Sequence, residues 1–343
     1  IAGQVSNLFA HYDELYRLSL NPLFFPFLSH IINYKGDTER SVDDFMDYWQ
    51  AHHQGGADQP IFAFLNLMGA HTPYRPPQNL LKQMAPELVN DRHIFGFISE
   101  FNGNPAQWAS PIDTPLADWQ NHAIDAFYDA EIAHQDMHVG RLLKQLQQSS
   151  QLDNTLVIIA ADHGEGHGDH QFFGHGFAVY QELVHVPLMI YDPERFPVKR
   201  VTTNVSTRRI FHTVLDRVGV KPPLASHDPN ADVENLSLIR ATNGRPDFEQ
   251  GMVFAEAIPP KIFVNVVEHR TPHHMDRLLL NQTRRGVYDG DHKLAMVGDT
   301  IEALYDVQDD PAEKSDIAPQ QQTIARTLQT KLNEFVIQKS NGH

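Results

Sequence analysis

Residues 162 to 176 concentrate side chains that could hold a cation or an oxyanion. The stretch reads Asp162-His163-Gly164-Glu165-Gly166-His167-Gly168-Asp169-His170 and closes with Phe173-Gly174-His175-Gly176. Asp162 and His163 together offer a carboxylate oxygen and an imidazole nitrogen, a common pair for a divalent ion. Gly164 behind them lets the backbone turn sharply. A segment so rich in glycine cannot be a packed helix or strand. It can bring several polar side chains to one bound ion or anion. A second polar loop, Gly69-Ala70-His71-Thr72-Pro73-Tyr74, adds His71.

Both loops follow apolar runs that should position them. Pro60 to Met68 is continuous and apolar, as in a strand buried on both faces of a parallel sheet. Leu156 to Ala161 is a second such run and Val186 to Tyr191 a third. Trp119 to Gln148 has a helical stripe of Ile124, Phe127, Tyr128, Ile132, Val139, Leu142, Leu143 and Leu146. Helix, turn, strand and polar loop make the α/β unit of a doubly wound, mostly parallel sheet, whose ligands bind at the carboxyl ends of the strands. His71, Asp162, His163 and His175 are therefore expected to meet at one sheet edge.

The rest of the chain reads more simply. Ser41 can cap a helix through Trp49, and Thr207 to Val218 reads as a helix closed by Gly219. Residues 75 to 118 look loop-rich. Met252 to Glu256, Ile262 to Val267, Thr283 to Tyr288 and His292 to Val297 are strand-like runs that suggest a small antiparallel sheet. A closing helix is expected from Glu313 or later through Lys339. The divisions are then 1–220 for an α/β catalytic domain, 221–250 for a linker or surface loop, and 251–343 for a C-terminal α+β subdomain.

The 343 residues include 27 Lys and Arg against 43 Asp and Glu, a net charge of −16. That balance argues against nucleic acid or an anionic membrane surface as a partner. An anionic substrate needs a metal ion or a focused basic site here. The absence of cysteine excludes a disulfide scaffold, a cysteine zinc site and a cysteine nucleophile within these residues. The longest apolar runs are too short to span a bilayer.

In order along the chain, these motifs resemble the sulfatase family of the alkaline-phosphatase-like superfamily. The resemblance rests on Asp162-His163-Gly164-Glu165 with Gly174-His175-Gly176, then Tyr180-Gln181-Glu182-Leu183-Val184-His185-Val186-Pro187-Leu188. Upstream it includes Pro60 to Leu67, His71-Thr72-Pro73-Tyr74, and the helix with Asp136 and Val139-Gly140-Arg141-Leu142-Leu143. Downstream it includes Gly290-Asp291-His292-Lys293-Leu294 and Leu304-Tyr305-Asp306 through Glu313, as the family's C-terminal strand pair. It covers roughly residues 40 to 320.

The resemblance implies an alkaline-phosphatase-like fold and hydrolysis of a small-molecule or saccharide sulfate ester. It implies that Asp162 and His163 are metal ligands, that His71 contacts the transferred group or leaving oxygen, and that His175 neutralises or protonates a leaving oxygen. Glu165 is expected to orient His163, while His167 and His170 stay uncertain. One divalent ion is implied. The family favours Ca²⁺, and an imidazole ligand shifts the preference toward Mn²⁺ or Zn²⁺.

Two family features are missing from these residues: the opening strand with its Asp-Asp metal pair, and the Cys/Ser-x-Pro/Ala-x-Arg motif that yields a formylglycine nucleophile. The chain is therefore expected to be the C-terminal larger part of a longer protein, inactive alone, with the formylglycine outside it. Two other readings stay open. One is a metal-dependent phosphoester or phosphonate hydrolase, or a phosphoethanolamine or phosphoglycerol transferase. The other is a catalytically inactive module. His52-His53, His122, His273-His274 and Lys293 are expected at solvated surface, and Arg208 and Arg209 in a structural role.

Overall fold

The computed structural model describes residues 35–55, 59–104, 108, 111–220, 236–244, 249 and 251–340. Two compact units emerge. The first comprises residues 1–152 with 167–173, the second 153–166 with 174–343. These units cut the chain differently from the expected divisions at 220 and 251. Most of the expected 221–250 linker lies outside the described residues.

The first unit is helical: α1 (Thr38–Gln54), α2 (Gln78–Met84), α3 (Arg92–Gly103) and α4 (Asp118–Gln148). Asp37, rather than Ser41, caps α1 by accepting the Arg40 N–H at 3.0 Å. Asp91 caps α3 by accepting from His93 and Ile94. Two helices therefore occupy the stretch read as loop-rich. Gln120 reaches back to the Ala117 N–H at the start of α4 (2.9 Å). Tyr74, Leu81, Ile94, Ile98, Phe101, Ile124, Phe127 and Phe173 form the core. Ile132, expected in the same stripe, is exposed.

The run 60–68 has no strand pairing among the described residues, and Phe62 and Phe64 are 77% and 82% exposed. A strand is defined by its neighbours, and sequence periodicity reports only side-chain polarity.

In the second unit β1 (Val157–Ala160) pairs antiparallel with β4 (Leu188–Tyr191). Along the chain between them come β2 (Gly166–His167) and β3 (Phe173–Gly174), of which residues 167–173 belong to the first unit, and the short helix α5 (Gln181–Val184). Next come α6 (Arg209–Val218), ending at Gly219 with φ +68°, and the short α7 (Ile239–Thr242).

The C-terminal sheet is antiparallel in the order β5 (Val253–Ala257), β6 (Arg284–Asp289), β7 (His292–Val297) and β8 (Thr300–Asp306). Ile262 to Val267, read as a strand, lies in the helix α8 (Lys261–Arg270), followed by α9 (Pro272–Leu278). Its β-branched residues suit either element, and sixteen residues, α9 among them, separate the end of the run from β6. The closing helix α10 spans Gln322–Ser340. It packs Ala325, Leu328 and Leu332 onto Val287, Leu294, Met296 and Leu304. No helix among the described residues is long and apolar enough to cross a membrane.

Candidate active site

The Asp162 turn follows β1 directly. Gly164 donates its N–H to the Leu183 carbonyl at 2.8 Å, holding the turn against α5. A β-carbon on residue 164 would collide with the Glu182 carbonyl, so glycine alone permits this approach. The Asp162 carboxylate is 88% exposed. It accepts the His163 N–H at 3.1 Å.

His163 Nδ1 lies 2.8 Å from the Gly164 carbonyl, which can only accept. Nδ1 therefore carries the proton, and Nε2 keeps a lone pair. Nε2 stands 3.8 Å from Asp162 Oδ2. Donor atoms at that spacing can both reach an ion whose ligand bonds are about 2.0–2.6 Å, so the pair fits a divalent cation.

Glu165 does not orient His163. Its carboxylate, 6% exposed, lies 3.1 Å from His175 Nδ1. This hydrogen bond raises the His175 pKa above the usual imidazole value, against the opposing effect of burial. The His163 and His175 rings lie 3.9 Å apart, tilted by 35°. Gly174 and Gly176 flank His175 at φ +68° and +115°, a region that disfavours other residues. A β-carbon on Gly176 would also press on Pro260 at 3.0 Å. The second unit thus brings Asp162, His163, Glu165 and His175 together.

The chain beyond His175 is fastened to the C-terminal sheet. Arg284 on β6 donates to the Phe177 carbonyl at 3.1 Å, and Lys293 on β7 to the Val179 carbonyl at 2.5 Å. The Gln181 N–H donates to Glu313 Oε2 at 2.7 Å, and its side chain accepts from Tyr288 at 2.6 Å. Lys293, expected at the surface, is fully buried and 2.6 Å from Glu313. Burial pushes Lys293 down and Glu313 up, against their mutual attraction. The extra hydrogen bonds meet the condition for an ion pair to persist in a core. His274, also expected at the surface, is buried with its ring against His273. Arg209 is buried and bidentate on Glu249 Oε2.

The first unit holds His71, His167 and His170. His71 Nδ1 lies 2.6 Å from the Thr72 carbonyl, which can only accept, so Nδ1 carries the proton. The Thr72–Pro73 bond is cis. The following residues are clamped from several sides. Tyr74 exchanges two 2.7 Å hydrogen bonds with Asn102, and the Arg75 N–H donates to buried Glu131 at 2.6 Å. Lys35 bonds both Glu131 and the Pro73 carbonyl.

His167 joins a chain of its own. Its Nε2 lies 3.1 Å from the Tyr74 hydroxyl and its Nδ1 2.7 Å from Asp125 on α4. His170 sits at the turn between β2 and β3. Sequence reasoning missed Tyr74 and Asp125 as partners of His167, and Lys293 and Glu313 as supports. A lysine in an otherwise apolar strand, Leu294 to Val297 beside it, was the available signal for the last pair.

The family model described as Sulfatase matches residues 5–220, which include the whole 162–176 loop. Arylsulfatase K of Bos taurus is 28% identical over 316 residues, covering 88% of this chain and 54% of that protein. The N-acetylglucosamine-6-O-sulfatase of Bacteroides thetaiotaomicron is 26% identical over 205 residues, covering 59% of this chain and 33% of that one. The chain therefore spans about half the length, or less, of these relatives. Among solved structures, the phosphonate monoester hydrolase of Agrobacterium radiobacter superposes with a TM-score of 0.62. It is 22% identical, with 87% of this chain and 60% of that one covered. This likeness shows the α/β fold of the alkaline-phosphatase-like type.

Proposed function

Because the chain belongs to the sulfatase family, we propose that it takes part in hydrolysis of sulfate esters, with a nucleophile supplied from outside these residues. One observation carries this reading: Asp162 and His163 offer two donor atoms for a cation, beside a histidine braced by a buried glutamate. In this reading Asp162 and His163 hold a divalent ion, Ca²⁺ by family resemblance, and the formylglycine lies outside the chain. The bound ion supplies electrophilic stabilisation of the anionic ester and lowers the pKa of the attacking group.

The protein's own residues have separate tasks. Asp162 contributes negative charge toward the cation, which an amide could not. The Gly164 carbonyl fixes the His163 tautomer so that Nε2 is the ligand atom. Glu165 holds a proton on His175 Nδ1 and favours the imidazolium. Charged, His175 can neutralise a leaving oxygen or give it a proton from Nε2. His71 is proposed, by family resemblance, to contact the transferred group. Saccharide sulfates are the favoured substrate class, since the Bacteroides relative carries the name of an N-acetylglucosamine-6-O-sulfatase.

The test uses the full-length protein encoded by the gene, assayed against nitrophenyl sulfate, sulfated monosaccharides and nitrophenyl phosphonates. Sulfate turnover that falls in Asp162→Asn together with metal content supports the reading. A second reading, phosphonate or phosphate ester hydrolysis, is favoured by the fold shared with the Agrobacterium enzyme. Turnover of the phosphonate alone would replace the first reading with the second. No turnover of any ester by a metal-loaded protein would leave an inactive module.

A further inference from the structure

Helix α4 carries His134 and His138 one turn apart, on the same face. Their Nε2 atoms are 3.1 Å apart, with ring planes at 87°. A divalent ion with bonds of about 2.0–2.1 Å to nitrogen separates two imidazole ligands by about 2.9 Å at a right angle and about 3.3 Å at the tetrahedral angle. The observed spacing falls between these values. His138 is 4% exposed, and its Nδ1 is buried without a hydrogen-bond partner among the described residues.

We propose that His134 and His138 form a two-histidine site for a borderline divalent cation of the Zn²⁺, Ni²⁺ or Cu²⁺ class. Hard ions such as Ca²⁺ and Mg²⁺ prefer all-oxygen surroundings and are not the fit. The remaining coordination positions fall to water or to the carboxylate of Glu39, one of the two acidic groups of α1 whose charge reaches His138; the other is engaged. Asp43 on α1 is paired with Arg141 at 2.7 Å, and Arg141 also donates to the Glu39 carbonyl at 3.3 Å. Burial, His134 and Arg141 together lower the His138 pKa, which keeps its ring neutral as a ligand must be. In the absence of an ion, the two rings share one hydrogen bond between their Nε2 atoms. The ion replaces that bond with two coordinate bonds across a helical turn.

The test titrates the 343-residue chain with Zn²⁺ in excess Ca²⁺, by calorimetry and by NMR of the histidine ring nitrogens. The expected result is that His134 and His138 signals move together within the first equivalents. His134→Ala should then lose one equivalent or weaken it about tenfold or more. Zn²⁺ should also raise the melting temperature of the parent chain by more than that of His134→Ala. His138→Ala is the confirming variant. His134→Ala, on a half-buried side chain, decides the matter if the other fails to fold. Unchanged stoichiometry and affinity in His134→Ala, or early shifts confined to other histidines, would overturn the proposal.

Discussion

Glu165 and His175 are joined by a 3.1 Å hydrogen bond between a buried carboxylate and a half-buried imidazole. The bond spans ten residues and closes the glycine-rich loop on itself. Two roles follow for Glu165: it sets the charge on His175 and fixes the loop's shape.

The charge role predicts a titration. In the chelator-treated protein, Glu165→Gln should lower the His175 pKa, read from its ring signals. The folded-state pKa is raised, so the pair's contribution to stability is complete below the unfolded imidazole value and is lost as pH rises through the folded value. Parent and variant should therefore differ most in urea midpoint at mildly acidic pH, and converge above neutrality. A His175 pKa that stays put in the variant would remove Glu165 from this role.

Gly164→Ala should destabilise the protein by about 1–3 kcal/mol, because the new methyl group meets the Glu182 backbone rather than a side chain that can swing away. Gly140→Ala, with open space around it on an exposed helix position, should be neutral or stabilising by comparison. Chemical denaturation of the two variants side by side measures the contrast.

Replacing Lys293 by Met alone leaves a buried Glu313 without its cation. The cost should be about 3–5 kcal/mol. Lys293→Met combined with Glu313→Leu should recover much of that loss, since it removes both charges. A double-mutant cycle in urea gives the coupling. Additive losses would show that the two residues act independently.

Tyr74→Phe removes the hydroxyl that meets His167 and should cost about 1 kcal/mol. Asp125→Asn, on an exposed carboxylate, should cost much less. Equal losses would mean that the three residues act as one unit.

In the full-length enzyme, His175→Ala should lower kcat by roughly 10²–10⁴-fold with metal content unchanged. The loss should be steepest for esters of weakly acidic alcohols and least for nitrophenyl esters. Equal loss across a leaving-group series would leave His175 a binding residue without an acid role.

Long-period patterns were legible in the sequence. The Trp119 helix, the Arg209 helix with its Gly219 stop, β6, β7 and the closing helix all stand within a few residues of their expected places. The grouping of Asp162, His163 and His175 was legible too, because glycine spacing around ligand-type residues restricts what such a loop can be. Pairing was not legible. Pro60 to Met68 has the composition of a buried strand and no strand partner among the described residues. Side-chain destinations were legible only where local. Glu165 is two residues from His163 and ten from His175, yet bonds the distant ring. The Lys293–Glu313 pair is a tertiary event, since Glu313 reaches the site segment from a turn at φ +51° that no periodicity announces.

The two ends of the 162–181 loop are anchored unequally. Residues 177 to 181 are tied by four side chains to β6, β7 and the Glu313 turn, above a core sealed by α10. The Asp162 end hangs from a two-stranded ribbon of four residue pairs, with Met189 and Tyr191 exposed. Isolated two-stranded ribbons are marginal. Amide protons of β1 and β4 should therefore exchange with solvent well before those of β6 and β7. The Asp162 turn then depends on the Gly164 N–H to Leu183 carbonyl bond for its tie to the anchored segment. Asp162 and His163 gain order when something grips both, whereas His175, held by Glu165 and close to Phe177, is in place beforehand.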